Sequence, residues 1–121
     1  MREARNFMVT FDPRSFDELI AGFIGEHSGH VRMVLSYWDM AASLVLNGAI
    51  DSKMFQDANQ EFILMFSRVE PYLPQLREAN QNPNFLKSFE QLTLSIPDAR
   101  RRIDNTREFI RKIMAMRAAK A

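Results

Sequence analysis

The chain contains no cysteine, and that absence removes disulfide scaffolds, thiolate zinc sites, iron–sulfur clusters and cysteine nucleophiles together. Glycine and proline are scarce, four and five in 121 residues. A turn-rich β-sandwich would need such punctuation about every 8–12 residues. Long apolar runs are missing as well. The stretch Met40 to Ile50, the longest uncharged part of the apolar middle, falls well short of the roughly 20 residues that cross a bilayer. The N-terminal "MREARNFMVTFDPR" is charged and has no apolar core of the kind a secretory leader carries. The last two absences set the expectation of a cytoplasmic protein with no membrane span; the lack of cysteine is compatible with any compartment.

What is present is ordinary in amount and distinctive in kind. The chain is 46% hydrophobic and 26% charged, within the range of a folded globular domain. Ten Phe and eight Met make its apolar part bulky and soft, which suits helix packing. Apolar residues recur at helical spacing. Phe16, Leu19, Ile20, Phe23 and Ile24 describe one helix face, with two start signals before it: Asp12-Pro13 as N-cap and first residue, and Ser15-x-x-Glu18 as a capping box. From His30 to Asn47 the pattern is apolar almost all round. The polar positions there, Arg32, Ser36, Asp39, Ser43 and Asn47, fall on one narrow helical stripe, and Asn47-Gly48 supplies a stop.

Asp51 caps a further helix carrying Phe55, Ala58, Phe62, Met65, Phe66 and Val69 on its inner face. The short Gly48–Ile50 link makes an αα-hairpin spanning about 30–70. Pro71 and Pro74 break the chain near 71–74, with a turn or two continuing through Leu73 and Leu76. Asn82-Pro83 opens a helix with Phe85, Leu86, Phe89 and Leu92 on one face, and Pro97 opens the last. In that last helix Ile103, Thr106, Ile110 and Ile113 point inward, and Phe109 and Met114 widen the stripe. The expected architecture is all-α: a single compact bundle of about five helices forming one domain over 1–121, with residues 1–11 as an irregular arm and 98–121 as a basic C-terminal helix. Neither a period-2 strand pattern (a brief "FMVTF" aside) nor an internal repeat is present.

Three sets of side chains are candidates for chemistry or binding. His27 and His30 share a helix face and would suit a transition metal, but no third ligand and no HExxH or paired ExxH motif accompanies them. The carboxylates Asp39, Glu61, Glu70, Glu78 and Glu90 are spread over separate helices without a recognisable catalytic context. The third set is electrostatic. Net charge is +1 overall, yet the stretch from Asp98 onward holds eight Lys/Arg against three Asp/Glu, a local +5 opposed by −4 in the rest. Arg100, Arg101, Arg102, Arg107 and Arg111 could thus form an anion-binding face. The same residues could equally pair along the helix, as Arg100–Asp104, Asp104–Arg107, Glu108–Arg111 and Glu108–Lys112, at about 0.2–0.5 kcal/mol each.

The central helix has an apolar surplus. If Met33, Tyr37, Met40 and Leu44 lie opposite Val31, Leu35, Trp38 and Val45, the helix needs cover on two sides. One cover could be a second copy of the chain.

The segments "YWDMAASLVLNGAID…MF" (Tyr37 to Phe55) and "EPYLPQLRE" (Glu70 to Glu78) resemble a family of small bacterial all-helical proteins with no assigned function. The resemblance covers about Val31 to Asp98; the N-terminal arm and the basic tail carry no recognisable motif. It implies a helical fold and no substrate, cofactor or catalytic residue. The functional expectation is therefore a non-enzymatic helical protein-interaction module that associates with itself or another protein through apolar helix faces. Anion or nucleic-acid binding by the basic helix is the alternative, and a metal-binding or enzymatic bundle the third. No cofactor is expected.

Overall fold

Apolar spacing at three and four residues becomes eight α-helices in the computed structural model, which describes residues 2–120; Met1 and Ala121 lie outside the described residues. The helices are α1 (Arg2–Thr10), α2 (Phe16–Ile24), α3 (Ser28–Leu46), α4 (Ser52–Ala58), α5 (Glu61–Val69), α6 (Leu73–Ala79), α7 (Lys87–Ser95) and α8 (Ala99–Lys120). A 3₁₀ turn, Glu70–Tyr72, joins α5 to α6 without a gap, so there are seven continuous helical stretches and no strand among the described residues. Among the described residues no helix is long and apolar enough to cross a membrane. One apolar cluster draws on all eight helices, with α3 at its centre against α7, α1 and α2, and with α8 laid along α5.

The helix count exceeds the expected five for local reasons. Residues 2–10 are a helix and not an irregular arm: Ala4 and Met8, one turn apart, are buried against α3. The segment after Asp51 divides in two because Asn59 competes for the backbone. Its N–H and its side-chain Nδ2 both donate to Phe55 O, at 2.9 and 3.3 Å, and the chain leaves the helix there. Pro71 and Pro74 each sit in the first turn of a helical segment, where a missing N–H costs nothing, so they tighten the path and do not end it.

Two helix starts also move. Asp51 caps α4 as its position suggests, accepting from Lys53 N–H at 3.1 Å, and Ser15 caps α2 through Glu18 N–H at 3.2 Å. Asp12, however, is not an N-cap: its carboxylate turns away to arginines of α5 and α8. Asn82 does not open α7 either. Its Oδ1 accepts from Asn84 N–H at 3.0 Å, which closes an Asx turn, and the helix begins only at Lys87. The last helix starts at Ala99, after Asp98 at φ 56°. Within α8, Ile103 is buried as expected, but Phe109 points to solvent.

On α3 the division of faces follows the apolar spacing. Val31, Val34, Leu35, Trp38, Ala41, Ala42 and Val45 are buried, and Met33, Tyr37, Met40 and Leu44 are exposed on the opposite side. Trp38 meets Phe55 edge-on, with ring centroids 6.1 Å apart.

Candidate functional site

Three places on this framework gather side chains that the apolar core does not explain: a buried arginine hub, a trans-helix cap with the cleft beside it, and the exposed face of α3.

The hub is built around Arg68, the one cation in the buried run Phe62–Val69 of α5. Its side chain is fully enclosed. Nε donates to Met8 O at 3.2 Å and Nη2 to Val9 O at 2.6 Å, so the guanidinium satisfies carbonyls at the C-terminal end of α1, where the helix dipole favours a cation. Nη1 reaches Asp12 Oδ1 at 3.3 Å. Asp12 also accepts Arg111 Nε and Nη2 at 2.8 and 3.0 Å, a two-pronged contact from α8, and Arg14 Nε at 3.0 Å. Burial opposes the Asp12 charge, yet the Arg111 hydrogen bonds and the charges of Arg111, Arg68 and Arg14 hold its carboxyl below the usual range. For Arg68, burial lowers the guanidinium pKa and Asp12 works against it. Neither residue was a sequence candidate, because their contacts span 56 to 99 residues.

Four of the eight cations of the basic helix, Arg100, Arg101, Arg107 and Arg111, have acidic partners among the described residues. Arg107 Nη2 donates to Ser67 O at 2.9 Å, near the C-terminal end of α5, and lies 3.4 Å from Glu70. Arg100 pairs with Glu70 at 2.8 Å and Asp104 at 2.9 Å, which raises its pKa, and Arg101 pairs with Asp98 at 2.9 Å. Of the four expected pairs along α8, Arg100–Asp104 and Arg107–Asp104 form, whereas Arg111 leaves Glu108 for Asp12. Arg102 has no carboxylate within 4.0 Å among the described residues.

His27 and His30 stack on each other with ring centroids 5.6 Å apart, and Phe7 of α1 stacks on His27 at 4.5 Å. The pair thus packs the α1–α3 junction, and no group of three potential metal ligands exists among the described residues. The scattered carboxylates stay scattered: Glu61 meets Arg5, Glu90 meets Arg77, and Glu70 meets Arg100 and Arg107.

Asp39 solves a problem created 50 residues away. The N-cap of α7 is Leu86, in the left-handed region at φ 56° and with no side-chain acceptor. The Phe89 N–H, third in that helix, would lack a cap; it donates instead to Asp39 Oδ1 at 2.9 Å. An aspartate on α3 therefore caps α7 in trans, at the most extensive helix–helix contact in the fold. Asp39→Ala should cost about 1–2 kcal/mol, and Asp39→Asn much less, because an amide oxygen still accepts. Urea unfolding of both variants checks this, and equal losses would contradict the capping role.

Of the remaining stripe, Arg32 and Ser36 are exposed and Ser43 is half-buried. Arg32, Ser36 and Asp39 border a cleft of about 760 Å³ walled by Ile20 and Phe23 of α2, Leu76 of α6 and Phe85. The cleft was not legible in the sequence, since it exists only where α2, α3, α6 and the 80–86 turn converge. Its far wall is fixed by Arg77, which donates to Phe85 O at 2.9 Å and to Glu90 at 3.0 Å.

A comparison with curated proteins and with solved structures finds no match to this chain. A family model matches from residue 1, so α1 and α2, which precede the stretch that carried the resemblance, fall inside it, and α8 lies beyond its end. Over residues 1–95 the chain belongs to the family described as a domain of unknown function, DUF4760.

Proposed function

We propose that the chain is a non-enzymatic helical protein-interaction module that pairs with a second copy of itself through the exposed face of α3 and α4. The observation that carries this reading is the row Met33, Tyr37, Met40 and Leu44, exposed by 48, 42, 51 and 40%. Their 4-3-4 spacing is that of the inward positions of two packed helices.

The surroundings suit a close helix partner. Ser36 and Ser43 flank the row on one side and Ala41 on the other, all small and uncharged. Ile50 and Met54 extend it and enclose a shallow hollow of about 310 Å³ with Tyr37, Met40 and Leu44, a receptacle for one side chain. Six large side chains at such exposure make an apolar patch of at least a few hundred Å², the size that marks association surfaces. Between Met33 and Ile50 the only charged residue is Asp39, engaged with α7. A seam without charge carries no code for a differently charged partner, and a regular row on one helix matches itself across a two-fold axis.

The rival reading, anion binding by α8, draws less support because Arg100, Arg101, Arg107 and Arg111 already have acidic partners. Light scattering separates the two. The protein should have twice its 14.1 kDa chain mass at micromolar concentration, undiminished by salt, and Met40→Glu should halve that mass with helicity retained. A single-chain mass at high micromolar concentration would overturn the proposal, and salt-sensitive nucleic-acid binding by α8 would favour the rival.

A further inference from the structure

We infer that the cleft between α2, α3 and α6 is a binding site for an amphipathic carboxylate, an apolar chain or ring system ending in a single carboxylate group. The cleft's volume, about 760 Å³, falls in the range of small-molecule sites, and its walls are mainly aliphatic and aromatic. It adjoins the proposed pairing face, with Met33 and Ser36 at the boundary, while Tyr37, Met40 and Leu44 of that face lie outside it.

Charge complementarity names the occupant. Arg32 lines the cleft and has no carboxylate within 4.0 Å among the described residues. Its only hydrogen bonds among the described residues are two long ones, 3.4 Å each, to Ser28 O and Oγ one turn back on its own helix. Most arginines of this chain have acidic partners, whereas Arg32 is held beside an apolar cleft only by these two long bonds to neutral acceptors, which a carboxylate would outcompete. Asn80 also lines the cleft, and with its Oδ1 taken by Asn82 N–H at 3.0 Å its remaining hydrogen-bonding capacity is mainly the donor NH₂ group.

Asp39 restricts the anion further. One of its oxygens caps α7, but its negative charge stays at the cleft wall, two helical turns or about 10 Å from Arg32. A dianionic phosphate would be repelled more than a monoanionic carboxylate whose apolar body extends toward Phe23, Leu76 and Phe85.

Calorimetric titration of the whole chain with decanoate tests the assignment, with decanol, acetate and decyl phosphate as comparison ligands. Decanoate should bind at one site per chain, decanol and decyl phosphate at least tenfold more weakly, and acetate not measurably. Arg32→Gln should weaken decanoate about tenfold while leaving decanol unchanged, since a charge-assisted pair at a partly exposed site is worth roughly one power of ten. Phe23→Ala should weaken both. Arg32 is exposed, so that variant is expected to fold; circular dichroism confirms it. Absence of saturable decanoate binding would overturn the inference. So would equal affinity for decanol, tighter binding of decyl phosphate, or loss of binding in Met40→Glu with retention in Arg32→Gln. The last outcome would place the ligand on the pairing face.

Discussion

Replacing Arg68 with alanine is expected to lower unfolding stability by about 3–5 kcal/mol, the largest effect of any single substitution outside the aromatic core. Three losses coincide. The carbonyls of Met8 and Val9 lose their donors at the C-terminal end of α1, Asp12 loses one of its cations, and a void opens where the enclosed side chain stood. Packing and polarity can be separated with Arg68→Met, which fills most of the volume with an apolar chain. If the guanidinium acts through its hydrogen bonds, methionine should recover little. If methionine restores most of the stability in urea titrations, the residue serves mainly as filler and the capping account of α1 fails. Lysine should also recover little, because one ammonium cannot reproduce a fork that meets two carbonyls and a carboxylate.

The same residue shows where sequence reading stops. An arginine inside "FILMFSRVE" is visible, and its helix is visible, but the sequence does not say whether it faces solvent or crosses the core. That depends on α1, whose own helix was hidden: two buried apolar residues in nine, Ala4 and Met8, give a weak period, and the helix is stabilised by α3 and by Arg68 itself. The buried and exposed faces of α3 were legible because they depend only on spacing along one element. Asp39 was half legible. Its place on the polar stripe could be read, whereas its partner, Phe89 N–H, depends on an irregular turn at Asn82–Leu86 whose left-handed Leu86 has no sequence signature. Proline at position 83 pointed to a helix start four residues too early, because the Asx turn of Asn82 uses the same residues that an N-cap would. The cleft had no sequence signature at all, being a gap left by four segments.

Substituting Asp12 with asparagine should produce the second largest loss, about 2–3 kcal/mol near neutral pH, and with it a change in the pH dependence of folding. Arg68 would remain enclosed with its charge uncompensated by any carboxylate, and Arg111 would lose the contact that fastens α8 to the α1–α2 linker. The direction of the pH effect follows from the native environment. Asp12 titrates below its unfolded value of about 3.9 because Arg111, Arg68 and Arg14 outweigh burial, so the unfolded state binds more protons around that pH. The carboxylate's stabilisation is fully present above about pH 5 and is lost as pH falls through the native pKa. Wild type should therefore lose stability on acidification more steeply than Asp12→Asn, and the gap between them should narrow toward acid. Urea midpoints of both proteins from neutral pH down to acid measure this. Parallel curves would mean that Asp12 contributes no charge to the hub, and that Arg68 is compensated by the α1 carbonyls alone. Arg111→Ala divides the hub from the other side: it leaves Arg68 paired, so it should cost less than Asp12→Asn at neutral pH while still flattening the acid limb.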